Sequence, residues 1–416
     1  MFILCLTTYF SGCAFSDLKK EVGEVEKLYS MAGKITHPSS SPIRSVIVIL
    51  YSPKEGKNEI VGYTIAADTG HFAFLMPEGT YFLAAFEDLN YNLSHDKGEA
   101  VGYFGTPNPI LLLPKGRAAI DVNEFLDLDF QLNRTDRFFS EFPATIDTQK
   151  ISKSVFVKFG HITTLDDKIF AAENGSTGYW KPLTFLRNFG FGVYFLEPYD
   201  PDKIPVLFVH GALGSPEGWE KVIDQMDPKI FQPWFYYYPS GIRLNETAAA
   251  LNEIIKRMHA AYRFETLYVT AQSMGGLVAR SFIMKNVYDD NQDYIKLFVS
   301  ISTPWNGHIL TAKGVEGAPA AIPSWHDMIP ESEFIQSIFK KDFPPELKFH
   351  LLFSYRGDCS LFLANNDGTV ELASELDYRA QADAEEIFGF DEDHGSILTS
   401  PKFLNHYLGI LNEGKD

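Results

Sequence analysis

Thr270-Ala271-Gln272-Ser273-Met274-Gly275-Gly276 follows a strand-like run, Thr266-Leu267-Tyr268-Val269, and leads into a helix-like run from Leu277 to Lys285. Strand, serine, helix is the order of a sharp turn that lifts a hydroxyl clear of a sheet. A serine hydroxyl is a weak nucleophile until a base takes its proton, so it must stand where a base can reach it. Such a turn closes only if the positions two before and two after the serine are small, and here they are Ala271 and Gly275. Alanine replaces the more usual glycine, and one methyl fits where a larger side chain would clash. A Gly-rich helix start reads the same way in isolation, so the rest of the chain must carry the argument.

Upstream, Pro205-Val206-Leu207-Phe208-Val209 is followed by His210-Gly211-Ala212-Leu213-Gly214-Ser215. A short, continuously apolar run closed by turn residues reads as a buried parallel strand. The loop after such a strand can aim a backbone N–H at the oxyanion formed when serine attacks an ester, and the residue after the nucleophile supplies the second donor. Those donors are expected at Ala212 and Met274. His210 and Gly211 are then structural residues of the loop.

The His-Gly-x-x-Gly loop, the serine turn and Ser302-Thr303-Pro304-Trp305-Asn306-Gly307 resemble the α/β-hydrolase superfamily, in its bacterial lipase and esterase branch. The resemblance covers roughly the half of the chain after Phe195. It implies a mostly parallel sheet flanked by helices, and catalytic members in the order Ser, acid, His. Downstream of a strand-like Phe349 to Tyr355, Asn365-Asn366-Asp367-Gly368-Thr369-Val370 carries the Asp-Gly-x-Val context in which the family places its acid, so Asp367 is favoured, with Asp358 as the competitor. For the base, His394 lies on a loop, Asp393-His394-Gly395-Ser396. His406 sits in a helical pattern, and His350 lies inside a strand and precedes the acid. Ser273, Asp367 and His394 are therefore the expected triad. It needs no cofactor, and its substrate is an ester or lipid. The same residues also serve an acyltransferase or amidase reading, and a catalytically inactive surface binding protein is the alternative of another class.

Between about 30 and 130 the pattern changes to short strands: Val46 to Tyr51, Ile60 to Ile65, His71 to Leu75 and Tyr81 to Phe86. Turns at Asp68-Thr69-Gly70 and Pro77-Glu78-Gly79-Thr80 separate them. Strands at this spacing with no helix between them predict a small all-β sandwich. The run from Ala67 to Phe86 resembles the regulatory-like, prealbumin-type domain of carboxypeptidases, which implies a binding or spacing module without chemistry. Oxygen side chains recur at Asp88, Asn90, Asn92 and Asp96, with Glu99 following, a weak calcium-loop pattern that lacks the glycine and the final glutamate of an EF-hand.

The expected organisation is a signal or lipobox-like segment over 1–13, the β-sandwich over 30–130, a connecting strap with early hydrolase strands over 131–195, and the catalytic domain over 196–416. In the strap, Asn174 to Gly178 reads as a turn. Ala248, Leu251, Ile254, Ile255, Met258 and Tyr262 recur at helical spacing and predict a helix with one face on the sheet. An insertion at about 303–345 is expected to cover the cleft, with Ser332 capping a helix in which Phe334, Ile335, Ile338 and Phe339 share a face.

Lys and Arg number 36 against 54 Asp and Glu, and 36 − 54 gives a net charge of −18. Such a surface argues against nucleic acid as a partner and against electrostatic attraction to anionic lipid. A neutral ester entering an apolar cleft meets no such barrier. Phe10-Ser11-Gly12-Cys13 resembles a lipobox, which implies lipidation of Cys13, export and an anchored place in a bacterial cell envelope. No Lys or Arg precedes the apolar Met1 to Phe10, unlike an ordinary signal peptide. With Cys5 removed and Cys13 lipidated, Cys359 stands alone and no internal disulfide is expected.

Overall fold

The computed structural model describes residues 12–36, 45–104, 109–112, 126–134, 138–147, 155–357 and 365–414. Asp358, Cys5 and Cys359 lie outside them, as does the apolar segment before Gly12. In chain order the first strands are β1 (Tyr29–Thr36), β2 (Val46–Lys54), β3 (Lys57–Ile65), β4 (His71–Met76), β5 (Gly79–Glu87), β6 (Val101–Phe104), β7 (Ile110–Leu112), β8 (Leu126–Asp127) and β9 (Phe130–Gln131). Then come β10 (Val155–Ile162), β11 (Phe191–Phe195), β12 (Ile204–Val209), β13 (Phe231–Tyr237), β14 (Leu267–Gln272), β15 (Ile295–Ile301), β16 (Lys348–Ser354) and β17 (Glu386–Phe390).

Among the described residues, the second half forms one sheet in the order β10-β11-β13-β12-β14-β15-β16-β17. From β13 to β17 all neighbours run parallel, and β11 is antiparallel to β13. The continuous apolar runs have a simple cause: both faces are covered. Leu207, Val209, Val269, Ala271, Phe298 and Leu351 join a core under the helices Leu244–Tyr262 and Met274–Met284. Their strand neighbours Val206, Phe208, Tyr268, Val299 and Leu352 enter a second core with Trp219, Phe403 and Tyr407, the last two from the helix Pro401–Glu413. The strand order reverses around β12, which has β13 on one side and β14 on the other. In open α/β sheets the carboxyl ends of strands at such a reversal form the binding crevice.

The N-terminal region is β-rich. β1 and β4 pair antiparallel, and β10 pairs with the free edge of β4, so the large sheet runs without a break across the boundary expected near residue 131. An unpaired edge is a liability, and β10 removes it. A second sheet, β3-β2-β5-β6 with β7 beside β5, packs over the first. Met31, Ile35, Phe72 and Phe74 from one sheet meet Val48, Leu50, Leu83 and Ala85 from the other in a shared core.

One local reading is corrected. Asn174 to Gly178 is not a turn but the middle of a helix, Ala172–Trp180. Its glycines are there for close approach: a Cβ on Gly175 would collide with the backbone of Leu213 and Gly214. The calcium-like loop is closed on itself. Asp88 accepts hydrogen bonds from the N–H groups of Asn92 and Leu93, Glu99 from those of Leu89 and Asp96, and Asp96 from the side-chain amides of Asn90 and Asn92. Among the described residues no group of three or more His, Cys, Asp or Glu is placed to hold a metal ion. Asx-turn bonding produces the same alternation of oxygen side chains without an ion.

Gly12–Val25 is a helix, so Cys13 lies in its first turn. Leu18, from the same helix, is buried with Ile322 and Trp325 of the insertion after β15. Among the described residues no helix is long and apolar enough to cross a membrane.

Candidate active site

β14 ends at Gln272, the helix Met274–Met284 begins at Met274, and Ser273 turns between them with φ 55° and ψ −135°. A positive φ in a residue with a Cβ costs on the order of 1–3 kcal/mol and persists only where its surroundings hold it. Here the Ser273 N–H donates to the Ile301 carbonyl, and Gly276 N–H donates to Ser273 O. The small neighbours are required by contact. A Cβ on Gly275 would strike the carbonyls of Val209 and His210, and one on Gly276 would strike the Thr303 side chain.

Ser273, Asp367 and His394 meet at the carboxyl end of the sheet, brought there by β14, by the loop after β16 and by the loop after β17. His394 Nε2 lies 2.9 Å from Ser273 Oγ. Its Nδ1 lies 2.5 Å from Asp367 Oδ2. Asp367 is fully buried. Its other oxygen accepts from the N–H groups of Thr369 and Val370, and Oδ2 also accepts from the Ser354 hydroxyl. Burial pushes this carboxyl up, but the His394 hydrogen bond and charge, with the Val370 and Thr369 N–H groups, outweigh it and hold it below the usual carboxylate range. An ionised Asp367 accepts from His394 Nδ1–H, which leaves the Nε2 lone pair free to accept the Ser273 proton.

The other histidines are elsewhere. His350 Nδ1 and His406 Nε2 both contact Glu386, at 3.0 and 3.2 Å. Of the acids beside His394, Glu392 pairs with Arg356, and Asp393 accepts from the N–H groups of Gly395 and Ser396 within its own loop. The imidazole therefore takes Asp367 as its carboxylate partner.

The loop after β12 lies against the serine turn. A Cβ on Gly211 would sit 2.8 Å from Ser273 Cβ. His210 is buried, stacks on Tyr238 with ring centroids 4.3 Å apart, and is pushed down to about 4 by burial. Its Nδ1 donates to Gly211 O, and its Nε2 accepts from Tyr238 N–H, so the ring shapes the loop in its neutral form. Ala212 and Met274 both line the cavity that opens on Ser273.

That cavity measures about 940 Å³. Tyr179, Leu213, Pro304, Met328 and Val370 give it apolar walls, with Arg356 at the rim. The insertion supplies three helices, Ile309–Gly317, Pro323–Asp327 and Glu333–Ile338, of which the last is capped by the Ser332 hydroxyl accepting from Ile335 N–H. Phe334, Ile335 and Ile338 are buried against the core beneath.

Three residues at the site escaped the reading of the sequence. Gln272 Nε2 donates to the His394 carbonyl and ties the base loop to β14. His308 Nε2 donates to the Thr369 carbonyl, fixing the insertion to the acid loop, and burial pushes this ring down to about 4. Glu375, fully buried, faces Asp367. The contact each makes is with a neighbour distant in sequence, which no local pattern marks.

A family model described as an α/β hydrolase of unknown function, DUF915, matches residues 242–376, about a third of the chain, and spans Ser273 and Asp367. Among solved structures, a gene product of Listeria innocua is 16% identical with a TM-score of 0.39, over 50% of this chain and 94% of its own. The mature form of a Bacillus licheniformis lipase is 18% identical with a TM-score of 0.41, over 53% of this chain and 97% of its own. A carboxylesterase structure from Nitrososphaera gargenis is 11% identical with a TM-score of 0.38, over 55% of this chain and 97% of its own. No curated protein matches. The fold is that of the α/β hydrolases.

Proposed function

We propose that this α/β-hydrolase scaffold carries a serine-dependent carboxylic ester hydrolase of the lipase or esterase type. The observation that supports it most is the unbroken run from Asp367 through both nitrogens of His394 to a Ser273 hydroxyl raised on a strained turn. As Ser273 Oγ attacks an ester carbonyl, His394 Nε2 takes its proton and returns it to the leaving alcohol. The acyl-enzyme forms, the same imidazole then deprotonates water, and the acid is released. The N–H groups of Ala212 and Met274 are the donors for the oxyanion, because both residues border the cavity at Ser273. The apolar walls suit an acyl chain.

The test is Ser273→Ala, assayed with short p-nitrophenyl esters and with a fluorophosphonate probe. Loss of both turnover and labelling is expected. Undiminished turnover in this variant sinks the reading.

Export and a lipid anchor at Cys13 belong to the same proposal. Support comes from the lipobox-like residues Phe10-Ser11-Gly12-Cys13 themselves. Palmitate labelling that is lost in Cys13→Ala is the expected result, and labelling that persists refutes it. The core shared by β1 and β4 with the second sheet supports reading residues 30–130 as a binding or spacing module, joined to the rest through the common large sheet.

A further inference from the structure

Glu375 ends the short helix Leu372–Glu375 and is fully buried behind the proposed triad. Its carboxyl faces the Asp367 carboxylate, the Ser302 hydroxyl and the Ser354 backbone N–H. None of these contacts closes into a hydrogen bond of good geometry, so both Glu375 oxygens are without a partner among the described residues.

The hydroxyl protons nearby are already spent. Ser354 Oγ donates to Asp367 Oδ2 at 3.0 Å. Ser302 Oγ and Ser354 Oγ are 2.7 Å apart, and since the Ser354 proton is committed to Asp367, Ser302 donates to Ser354. Around Glu375 one donor is left, the Ser354 N–H, beside a carboxylate that has no proton to give and a hydroxyl whose proton is already committed. A buried carboxylate in that setting would be uncompensated and would repel Asp367. A neutral carboxylic acid answers every neighbour: its carbonyl accepts from the N–H, and its O–H points at Asp367.

We propose that Glu375 is a positioning residue that stays protonated at neutral pH and directs its acid proton at Asp367, setting how much negative charge His394 meets. This rests on the triad reading given above. Burial and the Asp367 charge together push the Glu375 carboxyl well above the usual range, which agrees with the hydrogen-bond accounting. The titratable groups around it are Asp367 itself, with His394 and His308 beyond.

The experiment compares kcat/KM against pH for the full chain, Glu375→Gln and Glu375→Leu. An amide presents the same carbonyl and a donor in place of the acid O–H, so E375Q is expected to keep the acidic midpoint of the profile. E375L removes the donor and leaves Asp367 with its full charge, which favours the protonated imidazole and moves the midpoint up by about one pH unit. A downward shift in E375Q shows that wild-type Glu375 was ionised and overturns the proposal; so does an E375L profile that does not move. A second measurement stands if E375L fails to fold. Since wild type alone keeps a proton that its unfolded chain releases, E375Q gains stability relative to it as pH rises from about 4.5 to 8. A gap in melting temperature that is constant with pH refutes the neutral acid. Ser273→Ala separates the two failures: activity surviving there removes the triad reading itself, whereas activity lost there with a fixed E375L profile removes the inference alone.

Discussion

A side chain on Gly211 would come within 2.8 Å of Ser273 Cβ. The loop that brings Ala212 to the cavity thus presses on the residue it serves, and register makes this so: Val209 pairs with Ala271, placing the ends of β12 and β14 side by side. Gly211→Ala adds one methyl at the point of contact. Overpacking of this kind costs about 1–3 kcal/mol. A displacement of about 1 Å at a reacting group costs on the order of 100-fold in rate. The expected variant is folded, a few degrees less stable, and at least 100-fold slower on p-nitrophenyl esters, as calorimetry and initial rates will show. A wild-type rate in a stable G211A would mean that the loop yields freely.

Asp367→Asn should cost far more in activity than in stability. The amide keeps the shape and one accepting oxygen for the Thr369 and Val370 N–H groups. Toward His394 it offers no charge, and its NH2 favours the tautomer whose Nε2 carries the proton and is unable to take one from Ser273. In serine hydrolases this change lowers kcat by about 10⁴. Rates measured beside an unchanged circular dichroism spectrum check it; a loss below tenfold would give the acid role to another residue.

Three buried histidines make the fold acid-labile above the ordinary carboxylate range. Burial pushes His210 and His308 down to about 4 and His71 to about 3. The unfolded chain therefore binds protons between about 6.5 and 4 that the folded chain refuses, and stability rises with pH across that window and falls as pH is lowered through it. Shifts of this size correspond to at most about 3 kcal/mol each for His210 and His308 and about 5 kcal/mol for His71. Urea midpoints measured from pH 7 to pH 5 should decline, and His308→Gln should decline less steeply. Parallel slopes would remove His308 from the account.

What could be read from the sequence follows from range. The serine turn is local: small residues at Ala271 and Gly275 and a strand-to-helix switch fall within a dozen positions. Asp367 and His394 were legible because each lies in a loop just past a strand, and chain order leaves few choices. The helix Ala172–Trp180 was misread because Gly175 and Gly178 look like turn residues, when their missing side chains make room for Leu213, Gly214 and Pro239. In the Asp88 loop the alternating oxygen side chains resemble a weak ion site, and local N–H groups bond to them. Glu375 gave no signal at all. Its chemistry arises from Ser302, Ser354 and Asp367 arriving around it in three dimensions.

A buried ion pair ties the helix that begins at Met274 to the helix Tyr378–Asp383, and the same arginine reaches the insertion. Arg280 Nη2 meets Asp383 Oδ2 at 2.5 Å, and the guanidinium lies 4.2 Å and 4.3 Å from the ring centres of Phe339 and Phe343. Its Nε donates to the Ile338 carbonyl, at the end of the helix Glu333–Ile338. Both charges are desolvated, so removing one strands the other: Asp383→Ala should cost about 3–5 kcal/mol. Replacing both with apolar residues of similar volume, Arg280→Met with Asp383→Leu, leaves no orphaned charge and should recover most of that loss. Urea unfolding of the single and double variants gives the coupling directly. Recovery in the double variant with slower turnover than wild type would assign the pair to holding Met274 in register with Ser273; strict additivity of the two losses would show that the charges do not act as a pair.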